Sequence, residues 1–342
     1  MSNDSPWHFL TPTSGDPSTG GEAPSFSVII AAYNVASVIG EAIDSVLGQT
    51  VQPHEIVVCD DGSRDDLASA LVPYAGRIKL LKKRNGGEGS AKNAAARACS
   101  GDFVAILDAD DLYLPCRLEA LADLAAARPD LDILTTDAFL EVAGDRVRRC
   151  YTSDWQFETG RQRAGILERN FIFGHVAVRR ERFLAAGGFD ETIRWTTDWD
   201  CWIRMILGGA RAGCVAEPLA VYRVHEDSLS AQRARLVAGR LQTLEKTEAR
   251  SDLSRKERGI LGETTSRYRR ELALLELRTA LREGRDDARA RAFLVARDRS
   301  FSVRVRLNAV AAAILPTVAG RRERRRTREH WIGAGGTHVA RN

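Results

Sequence analysis

No apolar run in this chain is long enough to cross a bilayer, and no charged start followed by an apolar core marks a secretory signal. The six cysteines (Cys59, Cys99, Cys116, Cys150, Cys201, Cys214) include no CxxC pair and cluster with no histidine. Several fall inside apolar runs, so buried free thiols in a reducing compartment are expected. Excess charge is also missing: a formal net charge of +4 over 342 residues is too small to imply a nucleic-acid binder, although arginine concentrates towards the C-terminus. A dinucleotide-binding Rossmann domain places a glycine-rich turn directly after its first strand, and AAYNVAS (31–37) has none. What is present is ordinary for a folded protein. Hydrophobic residues make up 44%, enough for a substantial core, and the length suits one large domain with an appendage or two domains. Residues 1–24, rich in Ser, Pro, Gly and Thr, are expected to be a disordered leader, and 331–342 a disordered tail.

The chain from Phe26 alternates strand and helix. Buried strands are predicted at Phe26–Ala32 and Glu55–Cys59, with a third at Arg77–Leu81 and a fourth at Phe103–Leu107. Helices are predicted over Val35–Gly48, Leu67–Tyr74 and Ser90–Cys99, and another from Leu114-Pro115. This order and spacing specify an α/β fold with a mostly parallel sheet. Shorter strands follow at Leu131–Thr136, at Phe139–Val142 and Arg146–Cys150 around Gly144-Asp145, at His175–Val178, and at Arg211–Ala216 and Ala220–Val224. Between Tyr151 and Gly174 the pattern is irregular and aromatic, which suits a substrate-lining region or simple aromatic packing.

The strand Phe103–Leu107 stops abruptly on Asp108, Asp110 and Asp111. Ligands of open α/β sheets sit beyond the carboxyl ends of the strands, and three acids there need a counter-charge. A hard divalent cation would supply one; a solvated acidic turn capping the next helix is the plainer alternative. The acids do not stand alone. The second strand ends on Asp60-Asp61, and ninety residues beyond Asp108 lies Asp198, in the first turn of a helix with aromatic flanks at Trp195, Trp199 and Trp202. Thr196 or Thr197 is the expected cap of that helix. The loop Asn85–Gly89 opens a helix whose N–H groups could face a phosphate.

Seven short segments occur in order: SVIIAAYN (Ser27–Asn34), CDDGSRDD (Cys59–Asp66), NGGEGSAKNAA (Asn85–Ala95), DFVAILDADD (Asp102–Asp111), GGFDE (Gly187–Glu191), TDWDCWIRM (Thr197–Met205) and YRVHEDSLS (Tyr222–Ser230). Together they resemble an inverting glycosyltransferase of family 2, with the GT-A fold, over roughly residues 25–230. The resemblance implies a uracil-ring aspartate at Asp61 with Asp60 beside it, and a nucleotide pocket lined by Ala32, Tyr33 and Asn34. It places Asp108, Ala109 and Asp110 at the ribose and the metal, with Asp111 a competing ligand and no assignment among the three acids. The catalytic base falls on Asp198, and His225 on a position near the diphosphate and metal. Lys92 and Asn93 stand where relatives often carry Arg-Asn. The implied cofactor is a divalent cation, Mg or Mn. The implied partners are a nucleotide-sugar donor, taken as a UDP-sugar at family level, and a saccharide or lipid-linked saccharide acceptor in envelope or exported polysaccharide synthesis. The alternative is a non-catalytic nucleotide-sugar-binding scaffold, which would be expected to have lost one of these acids. A nucleotidyltransferase would need a basic glycine-rich loop after the first strand.

In such a reaction a cation neutralises charge building on the leaving diphosphate, while a carboxylate on the opposite face of the sugar takes the acceptor proton. Two effects on Asp198 compete: a helix start lowers a carboxylate's pKa, and aromatic walls raise it by desolvation. From Ala231 to 330 the composition turns to Ala, Leu, Arg and Glu, predicting a helical region: a hairpin of Leu272–Leu281 and Ala288–Val295 about Gly284, packed on the catalytic domain or mediating homo-oligomerisation. Val305–Val318, interrupted by Pro316, precedes an arginine run, so 301–328 is expected either to touch an anionic bilayer surface or to be a core helix with a solvated tail. The expected location is cytoplasmic, at the inner face of the plasma membrane if 301–328 binds lipid.

Overall fold

The structure, a computed structural model, describes residues 23–172, 174–224 and 229–323. The predicted leader (bar its last residues) and tail, Phe173, His225 and most of the arginine run lie outside the described residues. The first half builds β1 (Phe26–Ala32), α1 (Ile39–Leu47), β2 (Glu55–Asp60), α2 (Leu67–Leu71), β3 (Lys79–Lys82), α3 (Glu88–Ala98) and β4 (Phe103–Asp108). Next come β5 (Leu112–Tyr113), α4 (Arg117–Ala127), β6 (Ile133–Val142), β7 (Asp145–Arg149), α5 (Gln162–Glu168), β8 (Val176–Arg179), α6 (Arg180–Ala185), α7 (Thr197–Leu207) and β9 (Ala212–Val224). The chain then turns helical through α8 (Leu229–Glu248), α9 (Arg255–Glu283), α10 (Ala288–Arg297) and α11 (Val303–Ile314).

All nine strands join one sheet in the order β3-β2-β1-β4-β8-β6-β9-β5, with β7 paired to β6. The first four run parallel. β8 is antiparallel to both neighbours, and β6 and β9 are again parallel to each other. The apolar runs of β1 and β4 are buried on both faces because successive residues feed different cores. Ile29, Val104 and Ile106 face the layer holding α3, α5 and α7, whereas Val28, Ile30, Ala105 and Leu107 face α1 and α4. The chain leaves β1 to one side through β2 and returns to its other side at β4, which opens a crevice at their carboxyl ends.

Two strands are longer than the sequence suggests. β6 runs unbroken through Thr135-Thr136-Asp137, three fully buried polar residues. Its polar atoms are satisfied internally: Asp137 accepts from the backbone N–H of Ala138 and Tyr151 and from Arg149 Nε. β9 absorbs Pro218 at a register shift opposite Asp137, so the two short strands predicted there are one. The aromatic stretch after Tyr151 packs on itself, with Tyr151 against Trp155 and Phe157, and Phe157 against Phe171. All six cysteines are free; burial pushes the Cys99, Cys150 and Cys201 thiols up to about 12, while Cys116 is exposed.

The C-terminal region holds more than a hairpin, although Gly284 ends α9 with a left-handed φ of 69° as its position predicts. The capping box Ser254–Glu257 starts α9. Val237, Leu241 and Leu244 of α8 and Leu261 and Tyr268 of α9 belong to the same core as Ile29 and Trp202, and Tyr268 meets the Trp199 ring edge-on at 6.0 Å. From Leu277 onward a separate small core forms between α9, α10 and α11. Leu261→Ala should therefore cost about 2–5 kcal/mol and move a single unfolding transition of the catalytic layer together with α8 and α9. Chemical denaturation followed by tryptophan fluorescence and circular dichroism checks this. Independent folding of the helical region would split the two signals.

Candidate active site

The carboxyl ends of β1, β2 and β4 are level: Ala32 pairs with Asp60, and Ala31 with Asp108. Beyond them Asn34 takes a left-handed φ of 55°, which lets its side chain turn back along the backbone. Asn34 Oδ1 accepts from the Arg64 N–H at 2.8 Å, its own N–H donates to Ser63 Oγ at 3.1 Å, and the Ser63 N–H donates to Asp60 Oδ1 at 2.8 Å. Asn34 and Asp60 thus clamp two strand tips into one wall, and Tyr33 stands exposed beside them.

Asp61 is buried next to this wall and holds the loop in front of α3. Its carboxylate accepts from Lys83 Nζ at 2.7 Å, from the Gly86 N–H at 3.0 and 3.1 Å, and from the Gly87 N–H at 2.7 Å. The loop N–H groups that the sequence offers to a phosphate therefore point at Asp61, an anion at a helix start.

One turn into α3, Lys92 is the hub. Its ammonium, buried, pairs with Asp108 Oδ1 at 2.6 Å and with Glu88 Oε1. Burial alone would discharge this lysine, but the two carboxylates hold its pKa above the usual range. Burial likewise opposes the charged form of Asp108, yet Lys92, with help from His175, keeps its carboxyl below the usual range. Lys92 also reaches Asp198 electrostatically, which joins the acids of β4 to the start of α7. Asp108 and Asp110 are half-buried at the strand end, and desolvation, followed by the charges of Asp111, Asp108 and Asp110, raises the pKa of the Tyr222 hydroxyl.

Two residues expected at the donor are used elsewhere. Asp111 turns inward: Oδ2 meets His175 Nε2 at 2.7 Å and Oδ1 accepts from the Arg223 N–H at 2.8 Å, so it is a buried strut instead of a competing metal ligand. The reason is local, since β5 begins immediately after it and draws the chain towards β9. Asn93 donates to the Phe189 carbonyl at 2.8 Å and to Glu191 Oε1 at 3.1 Å, and accepts from the Phe189 N–H at 2.8 Å. It pins the 187–191 turn to α3. Gly188 is obligatory in that turn, with φ +66° and a Cβ that would fall 2.4 Å from Asn93 Oδ1.

Asp198 sits in the first turn of α7, half-buried. Asn170 Nδ2 donates to its Oδ2 at 2.8 Å. Desolvation raises its pKa above the usual carboxylate value, opposed by the Trp199 N–H, Lys92 and Asn170. The expected threonine cap is absent: Thr196 occupies the cap position in a left-handed φ of 62°, and its hydroxyl lies 3.2 Å from Thr243 on α8 instead. Behind Asp198, Trp199 and Trp202 are fully buried, with Trp199 Nε1 donating to the Ile166 carbonyl. Asn170, Glu88 and Lys83 escaped sequence reasoning. Asn170 lies in the aperiodic aromatic stretch, and Glu88 and Lys83 read as ordinary surface charges.

Among the described residues no three His, Cys, Asp or Glu side chains form a cluster able to hold a metal. That fits a cation bound in the way Mg²⁺ favours, by one or two carboxylates with the remaining positions left to water and substrate phosphates. Asp110, with the second oxygen of Asp108, is the carboxylate set of that kind at the strand end.

Residues 27–186 match the sequence model of glycosyl transferase family 2. The chain is 31% identical over 189 residues to chondroitin synthase of Escherichia coli, covering 53% of this chain and 26% of that protein. It is 30% identical over 187 residues to an uncharacterized glycosyltransferase of Rickettsia prowazekii, covering 53% and 58%. It is 31% identical over 222 residues to the uncharacterized glycosyltransferase EpsJ of Bacillus subtilis, covering 60% and 63%. In each case less than two thirds of the relative is spanned. Among solved structures, S. aureus TarS 1–349 in complex with UDP-GlcNAc superposes with a TM-score of 0.56 at 17% identity, covering 90% of this chain and 92% of that one. The mannosyltransferase PcManGT from Pyrobaculum calidifontis, in complex with GDP-Man and Mn2+, gives 0.55 at 23% identity, covering 88% and 83%. The strand–helix order gives the α/β fold and the resemblance its GT-A type; the structure has both, with helices added at the C-terminus.

Lys92→Met leaves Asp108 and Glu88 facing each other without a counter-ion. Since the Asp108 side chain keeps 35% exposure, the loss at pH 7 should be about 2 kcal/mol, below the ~3–5 of a fully buried pair. Asp108 has a depressed folded-state pKa, so its contribution is present above the unfolded value near ~4 and lost as pH falls through the folded one. The gap between wild type and variant in urea unfolding should thus narrow steadily below pH ~4.

Proposed function

From a chain whose residues 27–186 belong to glycosyl transferase family 2, we propose that it transfers a sugar from a nucleoside-diphosphate donor, a UDP-sugar, to an acceptor hydroxyl with inversion. The observation that carries this reading is Asp198: a carboxylate at a helix start, steered by Asn170, kept basic by desolvation, and separated by Lys92 from the acids of β4. Asp198 takes the proton from the acceptor hydroxyl as its oxygen attacks the anomeric carbon, and the sugar–phosphate bond breaks on the opposite face. Attack and departure on opposite faces invert the centre. Asp61 recognises the base, exchanging one loop N–H for a ring N–H; the wall of Ala32, Tyr33 and Asn34 lies under the nucleoside. UDP and UDP-GlcNAc complexes of TarS support a uridine donor, and the GDP-Man complex of PcManGT keeps a guanosine donor as the competing choice. Asp110 and Asp108 would hold a divalent cation, which when bound neutralises charge on the departing diphosphate. The family's place in envelope or exported polysaccharide assembly makes a saccharide or lipid-linked saccharide the proposed acceptor.

Asp198→Asn should lower the turnover of radiolabelled sugar transfer by about 10²–10⁴-fold while donor affinity, read by calorimetry, changes little. Wild-type turnover in that variant would remove the proton-acceptor role. As a base with a raised pKa, Asp198 works only above that value, so the acid limb of the rate profile should lie above the usual aspartate range. Asn170→Ala removes a donor that favours the charged form and should move this limb to still higher pH. A limb that stays in place would assign it to another group. Thermal stabilisation by UDP-sugar with Mn²⁺ should vanish in Asp110→Ala, and its persistence would reject the cation site.

A further inference from the structure

Helix α11 is inverted relative to an ordinary surface helix. A helix lying on a soluble core turns its apolar stripe inward. In α11 the inward positions are small, with Ala309 and Ala312 buried, and the large apolar residues face out. Val303 (67% exposed), Leu307 (64%), Val310 (43%) and Ile314 (66%) recur every three or four residues and so form one outward stripe. Leu315 and Val318 extend it, also exposed, onto the short helix Pro316–Glu323, which leaves α11 at a bend of 117°. α11 thus enters the small core through Ala309 and Ala312, and its exposed large apolar side chains lie outside that core.

The charge around this stripe selects its occupant. Residues 301–328 carry eight arginines and one glutamate, so their charge of +7 exceeds the +4 of the whole chain, and the remainder is net acidic. Arg304 and Arg322 stand at the edge of an apolar cavity of about 500 Å³ between α9, α10 and the last two helices. A second copy docking through the same face would bring two strongly positive segments together. An anionic lipid surface offers both an apolar layer for the stripe and phosphates for the guanidinium groups. No single helix among the described residues is long and apolar enough to cross a membrane.

We infer that α11 and Pro316–Glu323 form a docking face for an anionic phospholipid bilayer. The outward stripe enters the boundary between headgroups and acyl chains, and the arginines bind lipid phosphates. This inference stands on residues 301–328 and is independent of the transfer chemistry.

Co-sedimentation of the full chain with vesicles tests it. Phosphatidylcholine vesicles containing phosphatidylglycerol should bind at least about ten-fold more protein than phosphatidylcholine alone, and 0.5 M salt should reverse much of this. The double variant Leu307→Glu/Ile314→Glu should lose at least about ten-fold in binding with an unchanged melting temperature, since both side chains are exposed. Equal binding to neutral vesicles, or no binding to either, overturns the inference. So does a dimer, seen by light scattering, that the double variant dissolves, since the face would then belong to a second copy. Association that alkaline carbonate fails to release overturns it as well, by showing insertion instead of surface contact.

Discussion

A single buried ammonium holds the working edge of this sheet together. Lys92 enters from α3 and is surrounded by Asp108 at the end of β4, Glu88 one turn back, and the more distant Asp198 of α7. Desolvation works against every one of the charged groups that are buried here, so none is stable in its charged form without the others. That mutual dependence fixes where α3 sits against β4. The ring of Phe189 lies 6.0 Å from the same ammonium, adding the 187–191 turn to the arrangement.

That turn links the two halves of the site. Asn93 and Gly188 lock it to α3, and Arg204 of α7 donates to its Gly188 carbonyl at 2.6 Å while pairing with Asp200. The start of α7 is therefore positioned from α3 by a short chain of buried hydrogen bonds rather than by the sheet. Thr196 in a left-handed conformation, costing roughly 1–2 kcal/mol for a β-branched residue, completes the approach. Of the three non-glycine residues with positive φ among the described residues, Asn34 and Thr196 flank the crevice, as strained backbone tends to do at working sites. The third, Ala143, makes the β6–β7 hairpin.

The parts legible in the sequence were those written in local period and abrupt change. β1, β2 and β4 announced themselves as apolar runs, the last two ending on acids, and α7 as an aromatic stripe beginning with Asp198. The parts that were not legible depend on partners far away in the chain. Asp111 looks like Asp110 until β5 pulls it 64 residues away in sequence to His175. Asn93 reads as a pocket residue until the turn 96 residues later claims its amide. Asn170 has no periodic context, and its value comes only from where α7 ends up. The sequence splits β6 after Thr136, where the charge of Asp137 breaks the pattern; its bonds to Ala138, Tyr151 and Arg149 satisfy that group and override the local signal.

The sequence left Asp198 between two opposed effects, and the geometry decides between them. A helix start lowers a carboxylate's pKa most when the carboxylate points along the axis at unpaired N–H groups in water. Here the Trp199 N–H does supply such a bond, but the side chain stands over a wall whose members, Trp199 and Trp202, are wholly buried. Lost hydration then outweighs the bond, because the dipole's effect is at most about a unit whereas desolvation of a carboxylate can reach several. The Asn170 amide bond orients the carboxylate and, behind the Trp199 N–H and Lys92, favours its charged form. A carboxylate arranged in this way is poorly hydrated and its charged form is less favoured than in water, which is the property that the proposed proton transfer from an acceptor hydroxyl draws on.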